Sequence, residues 1–88
     1  MKQIVFSTPF RKAYRERIAP YPHLVKLFRK KFKLFESEDH AELDIHALGG
    51  RMLGLSAFSI DYDLRVVYKE MKNSIILIDI GTHPQVYK

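Results

Sequence analysis

The chain reads as an α+β fold: a mainly antiparallel four-stranded sheet with two helices packed on one face, in the order β-α-α-β-β-β. Three observations predict it. Apolar residues recur at helical spacing only in the first half, from Phe10 to Phe35. Two-residue alternation and β-branched runs occupy the second half, from Met52 to Ile80. A polar turn around Lys72-Asn73 joins the last two extended runs, so they are expected to pair as a hairpin. Helices that precede a set of short-connected strands suit a sheet covered on one side.

Residues 2–6 read as a short first strand. Thr8-Pro9 opens the first helix: threonine can cap, and proline fits the first turn, where its missing N–H had no partner. Phe10, Ala13, Tyr14 and Ile18 form its buried side, and Pro20 ends it. Pro22 opens a second helix with Leu24, Val25, Phe28, Phe32 and Phe35 inward. That helix should weaken near Phe35 or Glu36, because Glu36, Glu38 and Asp39 oppose the negative end of the helix dipole. Asp44 to Arg51 carries turn signals and reads as a loop with a strand-like start. Met52 to Ile60 reads as a strand that Gly54 weakens or bulges, and Asp61-Tyr62 connects it to the next. Leu64, Val66 and Tyr68 alternate with Arg65, Val67 and Lys69, as in a strand with two different faces. Ser74 to Ile80 is aliphatic enough for a strand covered on both sides. It empties into a loop running from Gly81 to Tyr87.

The 88 residues suit one domain, 1–88. Cysteine is absent, which excludes disulfides and thiolate metal sites. His23, His40, His46 and His83 lack metal-ligand spacing, so neither metal nor cofactor is expected. The first residues lead into an amphipathic strand rather than the apolar core of a signal peptide. No apolar run approaches the roughly 18 residues of a membrane span. A soluble, cytoplasmic protein without a membrane partner is expected. The net charge of +5 favours polyanionic partners. Lys26, Arg29, Lys30 and Lys33 recur three or four residues apart as a basic stripe with Lys31 at its edge, either a solvated helix face or a surface for a polyanion. Arg51 and Lys69 extend this candidate polyanion-binding set.

Arg65 is the most informative single residue. An arginine between apolar neighbours in mid-strand needs a phosphate or a carboxylate for its donors, and Asp61, Asp63 and Asp79 are the internal candidates. His83 follows Gly81-Thr82 at the exit of the most buried strand, and imidazole can exchange a proton near neutrality. Tyr87 stands four residues on, either as a stacking ring or as an anchor for the tail. His46 is a second candidate acid–base group or a loop residue satisfying carbonyls. Asp63 either orients Arg65 or begins its strand.

Three stretches together resemble the RelE/ParE superfamily of bacterial toxins, and within it the YafQ-like messenger-RNA interferases. They are His46-Ala47-Leu48-Gly49-Gly50, the run from Gly54 to Tyr68 with Asp63-Leu64-Arg65 at its centre, and Ile80-Gly81-Thr82-His83-Pro84-Gln85-Val86-Tyr87. The motif match covers His46 to Tyr87, and the helical half matches in layout and size. The pattern departs from YafQ-like sequences at Leu64, Ser59 and Ser56.

The resemblance implies a RelE-like fold and ribosome-dependent, metal-independent cleavage of messenger RNA. It implies proton transfer by His83, a nucleotide-holding ring in Tyr87, and a phosphate-steadying cation in Arg65. His46 and Asp63 join the catalytic set on the same ground. The implied partners are the ribosome, its messenger RNA and an acidic, partly disordered antitoxin, and the resemblance assigns the basic set to RNA binding. Two readings compete: a ParE-like inhibitor of DNA gyrase, which needs no proton-transfer group, and a non-catalytic basic RNA-binding module.

Overall fold

The computed structural model describes residues 2–87. Strand β1 (Gln3–Phe6) is followed by helices α1 (Thr8–Arg17) and α2 (Pro22–Glu36). A two-residue strand β2 (His46–Ala47) and a 3-10 turn (Gly50–Met52) come next. Then come β3 (Ser56–Asp61), β4 (Leu64–Glu70), β5 (Ser74–Thr82) and a single-turn helix α3 (His83–Val86). The sheet order is β1-β5-β4-β3-β2. β1 runs parallel to β5, and the remaining pairs are antiparallel.

The α+β class and the order of the long elements are those expected, with four differences of detail. Among the described residues the sheet has five strands rather than four, because His46 and Ala47 pair with Ala57 and Ser56. Ser7, not Thr8, caps α1: its hydroxyl accepts from the Phe10 N–H at 3.2 Å. The strand expected from Met52 begins only at Ser56, since Gly54 adopts φ +92 and the chain turns there. The segment expected as a C-terminal loop winds into α3 at His83.

The two faces of the sheet carry different layers. α1 and α2 cover one face, where Phe10, Phe28 and Phe35 pack on Phe58, Val66, Tyr68 and Leu77. The Phe35 ring stacks on Phe58 at 4.4 Å and meets Tyr68 edge-on at 5.0 Å. Such aromatic pairs add to the burial term that holds the helices down. On the opposite face Ala57, Val67 and Val86 form a smaller cluster with Leu48, Met52, Leu55 and Tyr87. This second layer is assembled from the 3-10 turn and α3. Alternation along β4 puts Arg65 on the same side as Val67, facing that smaller layer.

β5 outruns its neighbour: β1 pairs only with Ser74 to Leu77. Side chains satisfy the exposed edge beyond it. Asp79 Oδ1 accepts from the Ile80 N–H at 2.9 Å, and Arg17 Nη1 donates to the Ile80 carbonyl at 3.0 Å and to Asp79 Oδ1 at 3.1 Å. This brace fixes the end of the strand from which α3 departs.

Candidate functional site

Where β5 ends, Thr82 caps α3 and Gln85 completes a capping box, its Oε1 accepting from the Thr82 N–H at 2.8 Å. The close approach needs a glycine at 81. A Cβ there would stand 2.6 Å from Gln85 Oε1 and 2.8 Å from Arg17 Nη1. One helical turn then brings His83 and Tyr87 to the same side, with ring centroids 4.5 Å apart and planes at 73°.

His83 is exposed and borders two clefts. The larger, about 760 Å³, is lined by Lys30, Lys31, Tyr62, Asp63 and Arg65 together with His83. The smaller, about 310 Å³, is lined by His46, Leu48, Gly49, Met52 and Tyr87 together with His83. Five sequence candidates (His46, Asp63, Arg65, His83 and Tyr87) therefore border one continuous region centred on His83.

Arg65 has no carboxylate partner among the described residues. Its Nη1 donates instead to the carbonyls of Asp61, Tyr62 and Leu64 at 3.1, 3.0 and 3.3 Å. The internal ion pair weighed from the sequence is not formed: Asp79 is taken by Arg17, and Asp63 Oδ1 lies 3.5 Å from the His83 N–H. Carbonyl dipoles orient the guanidinium without cancelling its charge. Asp63 accordingly faces the first turn of α3 rather than Arg65.

His46 Nδ1 lies 3.0 Å from the Asp44 carbonyl oxygen. A carbonyl only accepts, so Nδ1–H donates and Nε2 is left for other chemistry. The Tyr87 hydroxyl is buried and has no hydrogen-bond partner, the one such side-chain atom among the described residues. Burial pushes this phenol above the usual tyrosine range; the nearby Arg65 opposes the shift and Asp44 reinforces it. Tyr87 is therefore a neutral donor near pH 7.

The basic candidates divide. Lys30 lines the larger cleft, as does half-buried Lys31. Lys26, Arg29 and Lys33 stand exposed along α2 outside it. Arg51 is exposed on the 3-10 turn, and Lys69 lies four residues along β4 from Arg65, roughly 13 Å away. The larger cleft also carries Glu42, Asp44, Asp61 and Asp63, so its carboxylates outnumber its three cations. Sequence reasoning noted Ser59 as a departure from the YafQ-like pattern and treated Tyr62 only as part of a connection, giving it no place in this lining. The available signal was Tyr62 itself, a large ring where a tight polar turn favours a small residue.

Among solved structures, E. coli YafQ superposes with a TM-score of 0.82 at 17% identity, covering 100% of both chains. The YafQ fold is the fold of this chain. YafQ in the E. coli DinJ–YafQ complex gives the same TM-score at 16% identity, again over 100% of both chains. A metal-bound toxin from Helicobacter pylori aligns at TM-score 0.80 and 23% identity, over 98% of this chain and 99% of that one. A YoeB/ParE toxin from Agrobacterium tumefaciens aligns at 0.73 and 18%, over 92% and 98%. No family model matches the sequence, and no curated protein matches it significantly. The superposition on YafQ runs over the full length of this chain. Among the described residues no helix is long and apolar enough to cross a membrane.

Proposed function

We propose that this chain is the toxin of a toxin–antitoxin pair and cleaves messenger RNA on the ribosome, in the cytoplasm. The observation that carries the reading is the juxtaposition of Arg65, free of any described carboxylate partner, with His83 in one cleft, and of His83 with His46 and Tyr87 in the next. The YafQ-like fold and the toxins that share it support the biological role.

The chemistry follows from the side chains. The 2′-hydroxyl oxygen attacks the adjacent phosphorus while the bond to the 5′-oxygen breaks, leaving a 2′,3′-cyclic phosphate and a 5′-hydroxyl. His46 Nε2 accepts the proton of the attacking hydroxyl. His83, between the two clefts, gives a proton to the departing 5′-oxygen. Each positioned acid or base contributes about 10²–10⁴-fold. Arg65 faces the non-bridging oxygens and stabilises charge that grows in the transition state. Tyr87 buttresses His83 edge-on and lends its ring to the wall of the smaller cleft against the nucleotide, and Asp63 holds the first turn of α3. The ribosome supplies the in-line geometry of the strand. Lys26, Arg29, Lys30, Lys33, Arg51 and Lys69 face ribosomal RNA, giving an association that weakens steeply with salt.

An antitoxin holds the protein inactive, as the existence of a DinJ–YafQ complex suggests. It is an acidic segment that orders on this basic surface. Induction of this chain alone is expected to arrest translation, with cleaved messages ending in cyclic phosphate. His83→Ala and Arg65→Ala each lower cleavage on purified ribosomes by about 10²-fold or more. Intact messages alongside DNA damage would instead favour a gyrase inhibitor. Binding to free RNA without cleavage on ribosomes would leave only a basic RNA-binding module.

A further inference from the structure

The turn between β3 and β4 holds a residue to which the proposed reaction gives no role. Tyr62 is 94% exposed and stands on the rim of the cleft that contains Arg65 and His83. Its ring adds nothing to the core, and a two-residue turn favours Gly, Asn, Asp or Ser.

The turn is nevertheless held firmly. Asp61 and Leu64 are paired across its base. Arg65 Nη1 donates to the carbonyls of Asp61 and Tyr62 at 3.1 and 3.0 Å. One guanidinium thus both faces the cleft and fixes the platform on which the ring sits. The ring is presented to water from a braced support, which limits the entropy lost when something binds to it.

The cleft's charge bears on what binds. Its carboxylates outnumber Lys30, Lys31 and Arg65, so net field does not draw a polyanion into this spot. Affinity here must come from short-range contact. For single-stranded nucleic acid the strong contact of that kind is stacking of a base on an aromatic face.

We infer that Tyr62 is a stacking platform for one unpaired base of the RNA strand, beside the phosphate held by Arg65. The inference rests on the ribonuclease reading of the site and specifies how that site grips its substrate. The base on Tyr62 lies on the larger-cleft side of the scissile phosphate, away from Tyr87 in the smaller cleft.

The test uses ribosomes programmed with a message that carries 2′-O-methyl at the scissile nucleotide, which blocks attack. 2-Aminopurine is placed in turn at each position of the decoded codon, because its fluorescence is quenched on stacking. Wild type and Tyr62→Phe should quench one position. Tyr62→Ala should abolish that quench and weaken binding about 10-fold, within the range that alanine substitution of a stacking residue gives.

Equal quenching and affinity in Tyr62→Ala would overturn the inference. So would a Tyr62→Phe variant as weak as Tyr62→Ala, which would make the hydroxyl the contact. Loss of antitoxin binding in Tyr62→Ala with RNA binding intact would assign the ring to the protein partner instead. In each of those outcomes wild-type cleavage stands. A wild type that neither binds nor cleaves programmed ribosomes removes the ribonuclease reading and the Tyr62 inference with it.

Discussion

Replacing Tyr87 with phenylalanine separates what the site needs from what the fold needs. The hydroxyl is buried and unpartnered among the described residues, while the ring packs edge-on against His83 and joins the small cluster under α3. A buried polar group left without a hydrogen bond costs about 1–3 kcal/mol. The ring is only half-buried, so the low end applies, and Tyr87→Phe is expected to stabilise the protein by about 1 kcal/mol. For a domain of this size that corresponds to a rise in Tm of about 4–8 °C. Thermal unfolding of the purified protein, followed by circular dichroism, measures it. The same variant should cleave messages on programmed ribosomes more slowly if the hydroxyl becomes available to substrate, a gain in stability joined to a loss in activity. A lower Tm in Tyr87→Phe would mean the hydroxyl is bonded in the native state, and the reasoning about it would be wrong. A higher Tm with unchanged cleavage would confine the role of Tyr87 to its ring.

Gly81→Ala forces Gln85 Oε1 and Arg17 Nη1 away from a new Cβ that would otherwise lie 2.6 and 2.8 Å from them. Those side-chain ends are the capping-box acceptor and the brace on β5, so stability should fall by about 1–2 kcal/mol at the urea midpoint while His83 shifts and cleavage on ribosomes drops by about 10²-fold. Arg17→Met leaves the Asp79 carboxylate and the Ile80 carbonyl without their donor; for a pair this exposed the cost is about 1–2 kcal/mol by urea unfolding. Burial, with Glu70 adding and a Ser56 hydrogen bond opposing, raises the Tyr68 phenol above its ordinary value. The raised folded pKa means its contribution is whole below about pH 10 and is lost as pH climbs beyond it, so Tyr68→Phe should flatten the alkaline fall of the urea midpoint. Asp63→Asn keeps an acceptor for the His83 N–H but removes a charge beside Arg65: retained cleavage marks a positioning role, and a loss of about 10²-fold or more marks proton transfer.

The sequence carried the long elements because each repeats its signal. Phe10 to Phe35 repeats at helical spacing through two helices, and Leu64 to Ile80 alternates or runs β-branched through two strands. It did not carry what rests on one or two residues. β2 is two residues long, too short for any period. α3 is one turn, and its spacing of His83 and Tyr87 reads as helical only once Gly81 is known to release the chain from β5. Ser7 and Thr8 are both good caps, and only the position of Pro9 in the first turn separates them. The partners of Arg65 lay beyond composition altogether: three nearby aspartates suggested an ion pair, and the hairpin turn offered carbonyls instead. Convergence of Arg65 and His83 on one cleft was legible in outline, since β4 and β5 had to be neighbours and the register places Arg65 opposite Gly81.

That choice of partner has a consequence for the chemistry. An arginine paired with a carboxylate presents almost no net field, and a phosphate must first displace the acid. An arginine held by three carbonyls keeps its full charge and has its orientation fixed before substrate arrives, which is what transition-state stabilisation requires. Of the carboxylates that could have spoiled this, Asp63 has its Oδ1 3.5 Å from the His83 backbone nitrogen, and Asp79 is retained by Arg17 at the edge of β5. Both acids serve the backbone at the end of β5, one on each side of Gly81. The structural cost of keeping Arg65 available is therefore shared by Asp63 on the cleft wall and by Arg17 and Asp79 outside it. It follows that variants at Arg17 and Gly81, which touch no substrate, should change cleavage by moving α3 rather than by altering the charge that Arg65 presents.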